Sequence, residues 1–496
     1  MTRSGPVAAL ALVVALGAVA LAERAKLWND ELFTLYINRL DGLDDVWSEL
    51  KTGVEQTPFA FYAITRASTA PFGDGLLALR LPEILGYLLM TVCLHAFVAH
   101  RTAPVYGMVA AVLPLMTIAY SFAYEARAYG LVLGFSAAAL VCWQRATEDG
   151  PRRVWWVVAL GVSLAMAVGS HYYAILILGP LGAAELERWR ERRRPDLLVA
   201  AALCGALVPI VLFLPLVRAA DDYSTVFWQL PTFLAAVRFY PFLLGTGGSL
   251  ALAAALAGVV VIARRNRAEP RRLPSGIPLH ELVAVATLIV LPLLAVILGK
   301  LVTDAFTARY ALTAVIGLAA GVAFVARWAD APRRGLPTAA VVLLVVLGAT
   351  AVVRYASDFR REGREAAAET RTLRFLQANA PAGAPIVVAG AHEFFELSHR
   401  AAQDGGRPRL LYLADTQQAL RWLGTDAVEL GVSGMARVAP LEVQPLRQYL
   451  RTHRRLYVFG DDGDWDWLND ALDAAGAGRR VAARGANGDV LYDVRL

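Results

Sequence analysis

Along the first 353 residues, long apolar stretches alternate with short polar gaps, and each stretch is close to the ~20 residues that a helix needs to cross a bilayer. Eleven fall at about 5–22, 76–99, 104–122, 128–146, 154–170, 173–187, 197–217, 243–263, 281–300, 309–327 and 337–353, and each is predicted to be a transmembrane helix. Every second gap is basic. These gaps carry Arg101, then Arg145, Arg152 and Arg153, then Arg188 through Arg194, Arg264 through Arg272, and Arg327, Arg333 and Arg334. The positive-inside rule places them and the N-terminus in the cytoplasm. The other gaps, 23–75, 123–127, 171–172, 218–242 and 301–308, and the tail from 354, are then expected outside. The first stretch, Pro6 to Ala22, follows Arg3 and ends Ala20-Leu21-Ala22, a signal-like end. Its apolar run is long for a signal, so it is read as a retained anchor, and cleavage would leave the next loop on the same side.

At Arg354 the pattern changes: apolar runs shorten and charge rises. Ala384–Ala389, Arg409–Leu413 and Arg455–Phe459 read as short buried strands, with amphipathic stretches near 361–379, 392–403, 415–423, 441–453 and 464–475. This alternation predicts a small α/β layer. The expected organisation is a membrane domain over 1–353, whose first exterior loop, 23–75, carries interfacial helices, followed by an extracytoplasmic α/β domain over 354–496. None of the strands is followed by a Gly-rich phosphate loop.

Composition agrees with a polytopic α-helical membrane protein. With 57% hydrophobic residues, 18% charged residues and a mean hydropathy of +0.48, there is more apolar surface than one water-soluble core can hide. The net charge of +6 resides largely in the gap arginines, so it is read as topology rather than as a nucleic-acid surface. Cys93, Cys142 and Cys204 lie in apolar runs without ligand spacing and are read as packing residues. Abundant Ala, Arg and Gly beside few Lys points to a bacterial chain, for which the compartment is the cytoplasmic membrane.

Candidate chemistry gathers at the exterior gaps. The first loop opens Leu27-Trp28-Asn29-Asp30-Glu31, two carboxylates a few residues past the membrane surface. There a carboxylate can serve as base for an acceptor hydroxyl, and Asp30 is the choice, with Glu31 beside it. The structural alternative is that both cap or solvate an interfacial helix. In Tyr124-Glu125-Ala126-Arg127-Ala128-Tyr129, Arg127 sits in a very short turn between two spans, where a guanidinium can grip a lipid phosphate bidentately. A snorkelling arginine in an aromatic belt is the alternative. Ser170-His171-Tyr172-Tyr173 and Arg309-Tyr310 repeat the theme, and Arg80 enters its helix from the same side. Together Arg127, Arg309, Arg80, His171 and Tyr310 are read as a phosphate pocket, with Glu125, Tyr129 and Tyr172 as substrate contacts. His171 and Glu125 are also metal-binding types, which leaves a divalent metal open as cofactor without a ligand set to hold it.

These residues resemble those of the GT-C glycosyltransferases of the protein O-mannosyltransferase and aminoarabinose-transferase type. The likeness rests on Trp28-Asn29-Asp30-Glu31, Thr57-Pro58-Phe59-Ala60-Phe61-Tyr62, Phe72-Gly73, Leu79-Arg80-Leu81-Pro82, Glu125-Ala126-Arg127-Ala128-Tyr129 and Arg309-Tyr310, in this order across about 1–330. The resemblance implies that Asp30 is the catalytic base, that Glu31 aids it or the acceptor, and that Arg127 lies near the donor phosphate. The chain departs from the family at Gln56-Thr57-Pro58, where His-Pro or Pro-Pro is usual, and its tail has no β-trefoil repeats. The expected function is therefore an inverting transfer of a sugar from a polyprenyl-phosphate carrier to an envelope glycan, lipid or protein on the exterior face. The rival is a transporter or flippase of a lipid-linked glycan, which calls for broken or polar helices near the membrane middle.

Overall fold

The computed structural model describes residues 5–221, 223, 229–265, 276–330, 336–381, 383–405, 407–462, 465, 467–485 and 488–496. Arg3, before the first apolar stretch, and the gap arginines Arg267, Arg271, Arg272, Arg333 and Arg334 lie outside the described residues, as do residues 464 and 466 of the expected amphipathic stretch 464–475. The chain forms two compact units. The first comprises Met1–Glu23, Thr57–Leu214 and Gln229–Phe359; the second comprises Arg24–Gln56, Pro215–Trp228 and Arg360–Leu496. The loop expected at 23–75 is thus divided: its first part belongs with the tail, and the part from Thr57 onward with the apolar helices.

The early part of the chain forms α1 (Gly5–Arg24), α2 (Asn29–Asn38), α3 (Leu43–Leu50), α4 (Phe59–Phe72), α5 (Leu76–Arg101), α6 (Pro104–Val112), α7 (Tyr129–Ala146), α8 (Arg153–Ser170) and α9 (Leu178–Arg192). There follow α10 (Leu197–Cys204), α11 (Val208–Leu212), α12 (Leu214–Asp221), α13 (Phe233–Arg265), α14 (Leu279–Ile289), α15 (Leu291–Leu298), α16 (Ala314–Asp330) and α17 (Thr338–Asn379). All eleven apolar stretches are helical over most of their length, and the protein is a polytopic α-helical membrane protein. Among the described residues, five helices are individually long and apolar enough to cross a membrane, and counting each of two bent pairs as one span brings the number to seven. Prolines account for several breaks. Pro114 follows α6 into a 3-10 turn, Pro209 lies in the first turn of α11 after the 3-10 turn Gly205–Leu207, and Pro292 sits at the 58° bend between α14 and α15.

Glycines set the central contact of the first unit. A Cβ on Gly86 of α5 would come within 2.5 Å of the Gly130 carbonyl, so α5 and α7 touch backbone to backbone. One ion pair and one amide bond tie helix ends near the basic gaps: Arg101 meets the fully buried Glu281 at 2.6 Å, and Gln144 donates to the other Glu281 oxygen at 2.9 Å. Asp330 starts α17 by accepting the Ala339 backbone N–H at 2.9 Å.

The expected stop at 353 does not occur, because α17 runs unbroken for 42 residues. Past its apolar part, i,i+4 pairs such as Arg354–Asp358 and Arg361–Glu365 continue it, and no proline follows Pro337 until Pro381. In the tail, β1 (Ile386–Val388), α18 (Ala391–Gln403), β2 (Leu410–Ala414), α19 (Thr416–Leu423), α20 (Ala427–Met435), β3 (Val443–Pro445), α21 (Leu446–Thr452), β4 (Arg455–Gly460), α22 (Trp467–Ala474), β5 (Gly478–Arg484) and β6 (Val490–Arg495) follow. The sheet order is β3-β2-β1-β4-β6-β5; the first four are parallel, and β6 and β5 add as an antiparallel pair. Alternate residues face opposite sides. Val387, Leu411 and Val458 meet α19, α21 and α22, while Ile386, Tyr412 and Phe459 meet α17, α18 and α20. The amphipathic stretch expected at 441–453 begins instead as β3, paired with β2.

Candidate active site

In the first unit, three departures from α-helical backbone carry the candidate phosphate ligands. A 3-10 turn over Ile118–Ala123 leads into the Glu125–Arg127 turn, another spans Tyr172–Ile177, and a third spans Ala308–Ala311. The first turn is tight: the Arg127 N–H donates to the Glu125 carbonyl at 2.8 Å, and the Tyr129 N–H to the Arg127 carbonyl at 2.6 Å. α7 begins immediately after, so the Arg127 backbone is fixed at the start of a buried helix.

These turns bring Arg127, Tyr129, His171, Arg309 and Tyr310 together. The Arg309 guanidinium carbon lies 5.9 Å from the centre of the Tyr129 ring. His171 is 5.2 Å from Tyr129 and 5.2 Å from Tyr310, and Tyr310 stacks on Tyr173 at 4.1 Å. Burial, and then the positive charges of Arg127 and Arg309, push the His171 imidazole down to about 3. Its Nδ1 accepts the Tyr173 backbone N–H at 3.2 Å, which suits a neutral ring. The result is a cluster of two guanidinium charges, a neutral imidazole and aromatic rings. The buried hydroxyls of Tyr172 and Thr307, in the same segments, have no hydrogen-bond partner among the described residues, as expected of groups that meet a polar ligand or water.

His171 yields a pH prediction. Unfolded, it titrates near 6.5; folded, near 3; between these values the unfolded chain binds more protons, so stability falls as pH drops from about 6.5 towards 3. His171→Gln should flatten this acid-side decline, which thermal unfolding in detergent at pH 7 and pH 5 will measure.

Glu83, overlooked in the sequence, supports this pocket. It is fully buried in α5, and its Oε2 accepts the Leu131 N–H at 2.9 Å in the first turn of α7. A Cβ on Gly130 would lie 2.8 Å from the same oxygen, so glycine is what lets the carboxylate reach the helix start. A carboxylate within a membrane helix was the available signal. Glu83→Ala strands a buried donor and is expected to cost about 1–3 kcal/mol, whereas Glu83→Gln keeps an acceptor and should unfold near the parent temperature.

Arg80 lies in α5. It is fully buried and donates to the Ala22 carbonyl in the last turn of α1 at 2.5 Å. Glu125 is half-buried in the Arg127 turn. Among the described residues, no group of three or more His, Cys, Asp or Glu converges to hold a metal ion.

Asp30 and Glu31 belong to the second unit, in the first turn of α2. Glu31 is fully buried, and its Oε2 accepts the Trp28 N–H at 3.4 Å, a backbone cap at the helix start. Asp30, one residue earlier, is half-buried, and its own carbonyl accepts the Thr34 hydroxyl at 3.4 Å.

Residues 56–217 match the family model described as dolichyl-phosphate-mannose-protein mannosyltransferase, a span that contains Arg80, Arg127 and His171. Among solved structures, ArnT from Cupriavidus metallidurans in the apo state is similar over 98% of this chain and 97% of its own, with a TM-score of 0.60 at 15% identity. The same protein bound to undecaprenyl phosphate is similar over the same shares, with a TM-score of 0.57 at 15% identity. The chain has the GT-C fold. No curated protein sequence matches it. The GT-C likeness runs the full length of the chain and so includes the α/β tail as well as the helices.

Proposed function

We propose that this GT-C protein is a membrane glycosyltransferase that takes its sugar from a polyprenyl-phosphate carrier and transfers it to an envelope acceptor on the exterior face of a bacterial cytoplasmic membrane. The observation that supports it most is the pocket of Arg127, Arg309 and His171 at three helix ends, a lipid-phosphate receptor by its chemistry, on a fold whose Cupriavidus metallidurans representative was captured with undecaprenyl phosphate. The reaction we assign is inverting. The acceptor oxygen attacks the anomeric carbon while the bond from that carbon to the phosphate oxygen breaks; the acceptor proton passes to the Asp30 carboxylate, and the polyprenyl phosphate leaves with the bonding electrons. Arg127 and Arg309 neutralise the charge that grows on the departing phosphate, the step at which such electrostatic help matters most. The aromatic walls of Tyr129, Tyr173 and Tyr310 present faces on which a sugar ring can stack.

Purified protein incubated with a labelled polyprenyl-phosphate sugar and envelope extract tests this reading. Label in the acceptor with release of free polyprenyl phosphate is the expected result. Carrier that crosses a vesicle intact, with no labelled acceptor, would establish the transport reading instead.

A further inference from the structure

α2 has ten residues, too few to hold a helix in isolation, so its shape depends on what it packs against. It buries Leu32, Leu35, Tyr36 and Ile37. Much of the covering surface comes from the tail, more than 350 residues later. Phe33 meets Phe395 of α18 edge-on at 5.5 Å, and Tyr36 stacks on the same ring at 6.0 Å. The Tyr36 hydroxyl lies 2.8 Å from His399 Nδ1 in a buried bond. Burial, and then Arg39 and Arg400, hold the His399 imidazole down to about 4, and burial raises the Tyr36 phenol, so the bond joins a neutral ring and a protonated hydroxyl. Just before α2, Lys26 pairs with Glu396 of α18.

A second set of contacts comes from α20 and the residues after it. Gly431 lets Phe33 approach, since a Cβ there would lie 3.3 Å from the ring, and Gly434 does the same for Val54. Arg437 pairs with Glu49 at 2.8 Å. The segment that follows α1 is therefore built into the tail through charge pairs, ring contacts and one buried hydrogen bond, with Asp30 at its head.

We propose that the C-terminal α/β domain is the mount of the catalytic helix: α18, through Phe395 and His399, fixes α2 so that Asp30 is held in working position. The proposal rests on the reading of Asp30 as base. Phe33 and Tyr36 lie one and nearly two turns beyond Asp30 on a short rigid rod, so a shift at either is carried to the carboxylate. Displacing a reacting group by about 1 Å can cost a hundredfold in rate. Phe395 and His399 are thus positioning residues.

The test uses full-length Tyr36→Phe, His399→Leu, Phe395→Leu and the Tyr36→Phe/His399→Leu double variant, with kcat, the two KM values and binding of undecaprenyl phosphate measured for each. Each single change should lower kcat about five- to thirtyfold with donor KM and undecaprenyl-phosphate affinity within about twofold of the parent. The double variant should be no slower than the worse single one, because both remove the same bond. Should Phe395→Leu disturb the tail, the single-atom change Tyr36→Phe still decides. Unchanged kcat with only a raised acceptor KM would make the tail an acceptor-recruiting domain and overturn the proposal, as would losses that multiply in the double variant. Asp30→Asn separates the two readings. If it is dead while Tyr36→Phe and Phe395→Leu keep full kcat, the mount alone fails; if it is fully active, the base assignment fails and the mount with it.

Discussion

Asp30→Asn protein is expected to transfer sugar about 10²- to 10⁴-fold more slowly than the parent, the range that loss of a general base produces. An amide has the shape of the carboxylate but cannot take up the acceptor proton, so the substitution removes chemistry and little else. Its structural cost should be small. Asp30 sits in the first turn of α2, where a negative charge contributes about 0.3–1 kcal/mol through the helix dipole, and the buried cap is made by Glu31 instead. Binding of undecaprenyl phosphate should hold. Glu31→Gln retains an acceptor for the Trp28 N–H and should lose much less activity, while Glu31→Ala should lower stability first. Single-turnover release of polyprenyl phosphate is the measurement, and an Asp30→Asn protein that retains more than about a tenth of parental turnover would remove Asp30 from the chemistry.

The sequence makes Asp30 conspicuous for the reason it makes Arg127, His171 and Arg309 conspicuous: each is a polar group at the edge of an apolar run. Hydropathy finds such edges well because lipid tolerates few charges. It does not separate α from 3-10 backbone, since both close their hydrogen bonds internally, so the turns at Ile118–Ala123, Tyr172–Ile177 and Ala308–Ala311 look like ordinary helix or loop in the sequence. Glu83 is not marked by this rule because it lies within a run.

In the tail, β1, β2 and β4 were legible because parallel strands covered on both faces read as unbroken apolar runs. β5 was not, since it is an edge strand with Arg479, Arg480 and Arg484 among its seven residues, and β3 is three residues long and ends in proline. The attachment of α2 to α18 was beyond reach of pattern, because the bond from Tyr36 to His399 joins residues 363 apart and neither neighbourhood marks the other.

Arg127→Ala carries the second large effect, and it tests the proposed phosphate contact apart from the proposed base. The side chain leaves a turn held by backbone bonds that the Arg127 N–H and the Tyr129 N–H donate, so the fold should survive. If Arg127 meets the donor phosphate as proposed, loss of this cation is expected to lower kcat/KM for the donor about 10²- to 10³-fold. Arg127→Lys restores the charge but not the planar fork, and should recover only part of this. An independent signal comes from His171, whose imidazole is held near 3 by burial and by the charges of both Arg127 and Arg309. With Arg127 gone, one of those two positive neighbours is lost and the His171 pKa should rise, a shift that NMR of the imidazole can follow whether or not substrate is present. Arg309→Ala should move it in the same direction. If Arg127→Ala leaves donor kinetics unchanged and His171 does not move, the two guanidinium groups do not share a pocket, and the donor phosphate must be held elsewhere.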